Sequence, residues 1–169
     1  MNSVSAGPVV LEPQVAAHSA EMFVVLSDPA IYEFENSPPE SVPSLAERFA
    51  RLESRVSPDG AEQWLNWVIR VPSGPLAGYV QATIVRDRTA HIAYELASKF
   101  WRQGIGSAAV RGMLNELAVN YGVLSCLATL KERNYRSFSL LESLGFERSG
   151  STKSDELVMR KSIGVVPAA

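Results

Sequence analysis

The sequence predicts one α/β domain of the α+β kind over residues 1–169, built on a mixed central sheet of about seven strands flanked by about four helices. Three observations carry this. Between Gln63 and Ala97, three strand-like runs are separated by turn signals, Pro72-Ser-Gly-Pro75 and Arg86-Asp87-Arg88, which makes an antiparallel meander of the first half. A Gln-Gly-Ile-Gly turn at 103–106 then opens a long amphipathic helix. Beyond it come a strand, a helix and two short closing strands, so the chain crosses over once and the strands on either side of that helix should run parallel.

In chain order, residues 1–7 are small and polar and should fray, as should 162–169. Pro8 to Leu11 reads as an edge strand, with proline at its start where the missing N–H does least harm. Pro13 to Leu26 reads as a helix with Val15, His18 and Met22 on one face, stopped by Asp28-Pro29. The segment Ile31 to Val42 holds adjacent prolines and must be a loop. Tyr32, Glu33, Phe34, Glu35 and Glu40 make it aromatic and acidic, which suits either anchoring rings with solvated acids or the reception of a cationic amine.

Ser41 or Ser44 caps the next helix, about 43–57, and Glu47 completes a capping box with Ser44. Strands follow at Gln63 to Val71, Ala77 to Val85 and Thr89 to Ala97. In the long helix, Val110, Met113, Leu114, Leu117, Ala118 and Tyr121 share one face, while Arg111, Asn115, Glu116 and Asn120 take the other. Gly122 sits where a glycine would end it. The remaining elements are a strand at 123–130, a helix from Asn134 to Ser143, and strands near Phe146 to Ser149 and Glu156 to Arg160.

Composition narrows the function classes. The apolar fraction of 46% and charged fraction of 20% are ordinary for a globular chain, and a net charge of −2 provides no broad basic field for a nucleic acid. One cysteine, Cys126, forms neither an internal disulfide nor a cysteine metal cluster, and no metal ligand set stands out; His18 has no second ligand one turn away. Neither a secretory leader nor an apolar run of ~20 residues is visible, so a cytoplasmic protein without a membrane partner is expected. Trp64 and Trp67 read as core or subunit-contact residues, which keeps a homodimer open.

The turn at 103–106 has the chemistry of an anion cradle. Gly104 and Gly106 lack Cβ atoms, so their N–H groups can approach a ligand closely, and the helix behind them presents unpaired N–H groups and about half a positive charge. Ser107 adds a cap or a hydroxyl donor. No lysine follows as a nucleoside-triphosphate loop requires. GIGSAA at 104–109 does match the dinucleotide fingerprint, but six residues separate it from the preceding strand and the next strand lacks a terminal acid for a ribose.

The run Leu96 to Gly106, LASKFWRQGIG, resembles the coenzyme A pyrophosphate loop of the GNAT N-acetyltransferase superfamily, with Trp101 standing where the pattern has Gln or Arg. That departure, together with Asn134-Tyr-Arg-Ser137 and the following Leu140-Leu-Glu-Ser-Leu-Gly-Phe146, is similar to the Rim-type branch of ribosomal-protein N-terminal acetyltransferases. The resemblance implies a GNAT fold whose parallel pair splays apart, with the pantetheine arm filling the gap. It also implies acetyl-coenzyme A held by Leu96, Ala97, Arg102, Gln103, Gly104, Ile105, Gly106, Ser107, Asn134 and Ser137, and a primary amine as acceptor, on a protein N-terminus or a small molecule.

Acyl transfer to an amine needs above all a held geometry, with general acid and base help on top. Glu95 is the expected base, directly or through water, with His91 second. Relatives often carry the acid as a tyrosine where this chain has Leu141, so Ser137, or less directly Tyr135, is expected to serve the thioester sulfur. Asn134 suits a pantetheine amide, a water, or the helix N-cap. Two other readings stand beside the enzyme: an idle acyl-coenzyme A sensor, suggested by Leu141, and a dinucleotide-binding oxidoreductase.

Overall fold

A computed structural model describes residues 1–34, 36–72, 74–152, 154 and 156–164. The meander appears as expected, as β3 (Gln63–Arg70), β4 (Leu76–Ile84) and β5 (Thr89–Leu96). Its second turn is locked from both sides. Asp87 accepts from the Thr89 N–H at 2.9 Å, and Arg88, at φ 65°, donates from Nε to the Gly122 carbonyl at 2.7 Å. Gly78 on β4 is obligatory, because a Cβ there would run into the Glu95 carbonyl.

Two strands precede the meander, not one. Residues 1–7, expected to fray, carry β1 (Val4–Ala6), which pairs antiparallel with β2 (Val9–Pro13) and removes β2 from the sheet edge. The reason lies in α3 (Ile105–Tyr121): a Cβ on Gly112 would overlap Ala6, so a glycine in mid-helix lets β1 pack against the helix. At the other end, Ser162 closes the last strand, and 165–169 lie outside the described residues.

The helix expected from Pro13 is shorter. Pro13 ends β2, a 3-10 turn covers Ala16–His18, and α1 spans Ser19–Leu26. A second 3-10 turn, Pro29–Tyr32, opens the segment expected as loop, and Glu35 lies outside the described residues. In α2 (Val42–Leu52) the cap is Ser41, whose hydroxyl accepts from the Ser44 N–H at 3.2 Å, while Ser44 itself answers back to the Ser41 N–H. The remaining elements are β6 (Ser125–Lys131), α4 (Tyr135–Ser143), β7 (Glu147–Ser151) and β8 (Glu156–Ser162).

All eight strands form one sheet in the order β1-β2-β3-β4-β5-β6-β8-β7, antiparallel except at β5–β6. Strand alternation builds two cores on it. Leu65, Trp67 and Ile69 join Met113 and Leu117 of α3, whereas Val68 between them joins Met22, Leu45 and Phe49 of α1 and α2. Trp67 is fully buried in the first core. Glu116, expected on the wet face of α3, is only 8% exposed and accepts from Asn120 at 2.7 Å.

What positions the site is where the sheet stops pairing. Along β5–β6 only Thr89–Ser125, Ala90–Cys126 and His91–Leu127 are partnered, although β5 runs on to Leu96 and β6 to Lys131. Past those three pairs the strands part.

Candidate active site

The gap opens into a cavity of about 510 Å³ between β5, β6, the start of α3, the start of α4 and the residues Ile31, Phe34 and Asn36. Glu95, Leu96, Arg102, Gly104, Gly106, Ser107, Asn134 and Ser137 all line it. Most of the expected residues are thus brought to one place, from β5, the turn ahead of α3, α3 itself and the start of α4.

The start of α3 is a bare helix end. Gly104 takes the N-cap position at φ 75°, no side chain caps it, and the first helical bond to it comes only from Ala108 N. Ser107 therefore does not cap. Arg102, also left-handed at φ 57°, turns the chain into this end. A Cβ on Gly104 would meet nothing within 4 Å, so its face is open to a ligand; one on Gly106 would stand 3.0 Å from Leu140 Cδ1, between it and Leu96. Open N–H groups at a helix start suit a diphosphate. Gln103 turns away, donating to the Lys99 carbonyl at 2.7 Å, and Ile105 is buried in the core; neither lines the cavity.

Ladder parity decides which β5 backbone groups face the gap. Ala97 N donates to the Ala77 carbonyl at 2.9 Å and Ala97 O accepts from Phe100 N at 2.9 Å, so Ala97 offers neither group to a ligand, contrary to expectation. The even positions point their amides the other way: Ile92 N–H closes the ladder at the His91–Leu127 pair, while Tyr94 and Leu96 point theirs into the gap. Leu96 O is already taken, accepting from the Trp101 indole at 2.9 Å. Trp101, the departure from the family pattern, thus braces the strand end beside the cradle.

The start of α4 is the opposite kind of helix end. Asn134 caps it, Oδ1 accepting from the Ser137 N–H at 3.2 Å. Ser137 Oγ lies 2.6 Å from the Tyr94 hydroxyl, which also donates to the Ser137 carbonyl at 3.2 Å. Burial pushes the Tyr94 phenol up to about 12, against the opposing hydrogen bond of Ser137, so it stays protonated at neutral pH. Tyr94 was not singled out in the sequence, since alternation alone set it opposite Glu95; its partner lies 43 residues away. Leu141 lines the cavity fully buried, and Tyr135 is 66% exposed beside Phe34.

Glu95 lines the cavity, and its charge helps to raise the phenol of Tyr32, second to burial, as well as that of Tyr94. His91 is exposed and does not line it. Above, Arg136 of α4 stacks on the Trp101 ring at 4.3 Å and on Phe34 at 5.2 Å, and pairs with Glu33 at 2.7 Å. Glu33 and Phe34 are thus held toward α4 by the Arg136 guanidinium, with the Arg133 guanidinium 5.9 Å from the Phe34 ring centre as well. Beneath it, Asp28 accepts from Ser98 N at 2.6 Å and from Ala30 N at 3.0 Å; burial opposes its ionisation, but these bonds outweigh burial and lower its pKa.

Residues 9–147 match the family model of the acetyltransferase (GNAT) domain. The chain belongs to the GNAT acetyltransferase family. This GNAT protein is therefore an acyltransferase, and the dinucleotide reading of GIGSAA falls away. Among solved structures it is similar to the ribosomal-protein-S5-alanine acetyltransferase of Vibrio fischeri, at 16% identity and a TM-score of 0.82 over 95% of this chain and 96% of that one. RimJ of Mycobacterium smegmatis, in complex with a coenzyme A disulfide, is 23% identical with a TM-score of 0.79, over 94% and 84%. MccE, a microcin C7 self-immunity acetyltransferase in complex with acetyl-coenzyme A and AMP, is 16% identical with a TM-score of 0.78, over 93% of each chain. A search of curated proteins returns no match. Among the described residues no helix is long and apolar enough to cross a membrane, and no cluster of His, Cys, Asp or Glu is placed to hold a metal ion.

Proposed function

We propose that this GNAT enzyme moves an acetyl group from acetyl-coenzyme A to a primary amine by direct attack within a ternary complex. The observation that carries the reading is the pairing of an uncapped helix start with a strand gap: the N–H groups of α3 receive the diphosphate, and the gap-facing N–H groups of Tyr94 and Leu96 receive an amide-bearing arm. The coenzyme supplies an activated thioester. Holding it against the amine is the main contribution of the protein, since fixed geometry supplies on the order of 7–11 kcal/mol.

Glu95 takes the proton from the amine, directly or through a water, and Ser137 Oγ gives its proton to the sulfur as the C–S bond breaks, recovering one from solvent. Both line the cavity. Ser137 occupies the role that Leu141 cannot fill, which weighs against the idle-sensor reading. On the acceptor side, Phe34, Glu95 and Tyr79 line an aromatic, acidic wall suited to a cationic amine, on a protein N-terminus or a small molecule.

The test is release of free thiol from acetyl-coenzyme A with a panel of amines, including N-terminal peptides and small polyamines. Turnover with at least one acceptor is expected; tight acetyl-coenzyme A binding without turnover on any of them would return the sensor reading.

A further inference from the structure

We infer that Tyr94 is the positioning residue for Ser137: its phenol donates to Ser137 Oγ and so leaves the serine proton free to point at the coenzyme sulfur. The inference rests on the acetyl-coenzyme A reading above and deepens it. Three observations lead there.

The first is distance. Tyr94 Oη and Ser137 Oγ are 2.6 Å apart, a short contact for two hydroxyls, and they join β5 to α4 across the very gap in which the strands have stopped pairing. The second is direction. A phenol is the more acidic hydroxyl and the better donor, and burial holds this one protonated well above neutral pH, up to about 12. The phenol hydrogen points mainly at Ser137 Oγ, 2.6 Å away, with the Ser137 carbonyl at 3.2 Å as its lesser acceptor, so Oγ is an acceptor in that bond and its own hydrogen is left over. The third is where that hydrogen can go. The Ser137 N–H is already committed to Asn134 Oδ1 at 3.2 Å, which fixes the first turn of α4, and both Tyr94 and Ser137 line the cavity. Leu141, also on the cavity wall, presents only hydrocarbon.

A purely structural tie between β5 and α4 would use the same bond, so the test must read the sulfur and not the fold. The probes are coenzyme A and desulfo-coenzyme A, which differ only in the group Ser137 is said to touch. Binding of each is measured from about pH 7 to pH 10, the range in which a thiol ionises. For the wild type, the preference for coenzyme A over its desulfo analogue should grow as the thiolate forms, because a hydroxyl donating to an anion makes a stronger bond. In Tyr94→Phe that preference should fall about tenfold at the alkaline end, equivalent to roughly 1.4 kcal/mol, while desulfo-coenzyme A binds as in the wild type. Ser137→Ala should lose the preference too, and the double variant should be no worse than Ser137→Ala alone.

Equal loss for both ligands in Tyr94→Phe would show a structural tie only and overturn the inference. An unchanged preference in Tyr94→Phe with a lost one in Ser137→Ala would overturn it as well, leaving serine to act without tyrosine. Should Tyr94→Phe fail to fold, the wild type against Ser137→Ala decides whether the sulfur is touched at all; no difference there sinks the inference. Failure of the wild type to bind either ligand would instead remove the coenzyme reading on which it stands.

Discussion

Strand β5 has two edges that behave differently, and the contrast shows how the site is made. Toward β4 it is partnered from Ala90–Ile84 through Leu96–Gly78; toward β6 it is partnered only from Thr89 to His91. The first edge is a hairpin with a short turn locked by Asp87 and Arg88, so register is set locally and every residue pairs. The second is reached only after the α3 crossover, and in its far half β5 is engaged by side chains instead of by β6: Trp101 braces Leu96 O, and Tyr94 reaches Ser137. A sheet that pairs fully has no room for a ligand; one that fails to pair for half a strand leaves amides pointing into a cavity.

The sharpest way to break this contrast is to fill the gap. Gly106→Leu would project a side chain between Leu96 and Leu140, into the space the coenzyme arm needs. Coenzyme A binding measured by calorimetry should fall roughly a hundredfold or more, about 3 kcal/mol, with circular dichroism unchanged; near wild-type affinity would mean that the cradle lies elsewhere. Comparable in size but read in turnover, Glu95→Gln should slow the reaction roughly 10²-fold with little change in acetyl-coenzyme A affinity. Unchanged turnover would discard Glu95 as the base.

Gly104→Ala tests the bare helix end against the capped one. Its φ of 75° makes an L side chain cost about 1–2 kcal/mol, which chemical denaturation should read as lost stability. Asn134→Ala, at the other helix end facing the cavity, should cost a similar ~1 kcal/mol by loss of the cap, yet only the change at 104 should disturb diphosphate binding.

The smallest effect sharpens the zipped end of the pair. Cys126, partnered with Ala90 and fully buried, has its thiol pushed up to about 12 by burial. A raised pKa means that the folded state holds its proton longer than the unfolded one. Stability is therefore full below about pH 9, where the unfolded thiol begins to ionise, and declines as pH rises toward 12. Thermal melts over that range should fall less steeply for Cys126→Ala than for the wild type, against its own lower baseline from the lost packing.

Much of this was legible in the chain. The glycine turn, its helix and the meander follow from local rules of φ, capping and alternation, which act within a few residues, and the cradle at Gly104 and Gly106 was visible for that reason. Asn134 as an N-cap was legible too, from its position ahead of a helical run. The misses that shape the site were long-range. β1 was hidden in a small, polar segment because its partner in packing is Gly112, more than a hundred residues on. Ala97, which the resemblance gave as a ligand contact, has both backbone groups bonded within the chain, and which neighbour each amide faces is set only when the strands pair.

By itself the sequence determined the element types, the family and the bare helix end that invites an anion, since each depends on residues close together in the chain. Only the tertiary structure decided that β5 and β6 stop pairing at His91, that Arg136 holds Glu33 toward α4, and that Tyr94 meets Ser137. Those facts depend on which surfaces meet when two cores close on opposite faces of one sheet, and pair distances across the fold are not written in any local run of residues.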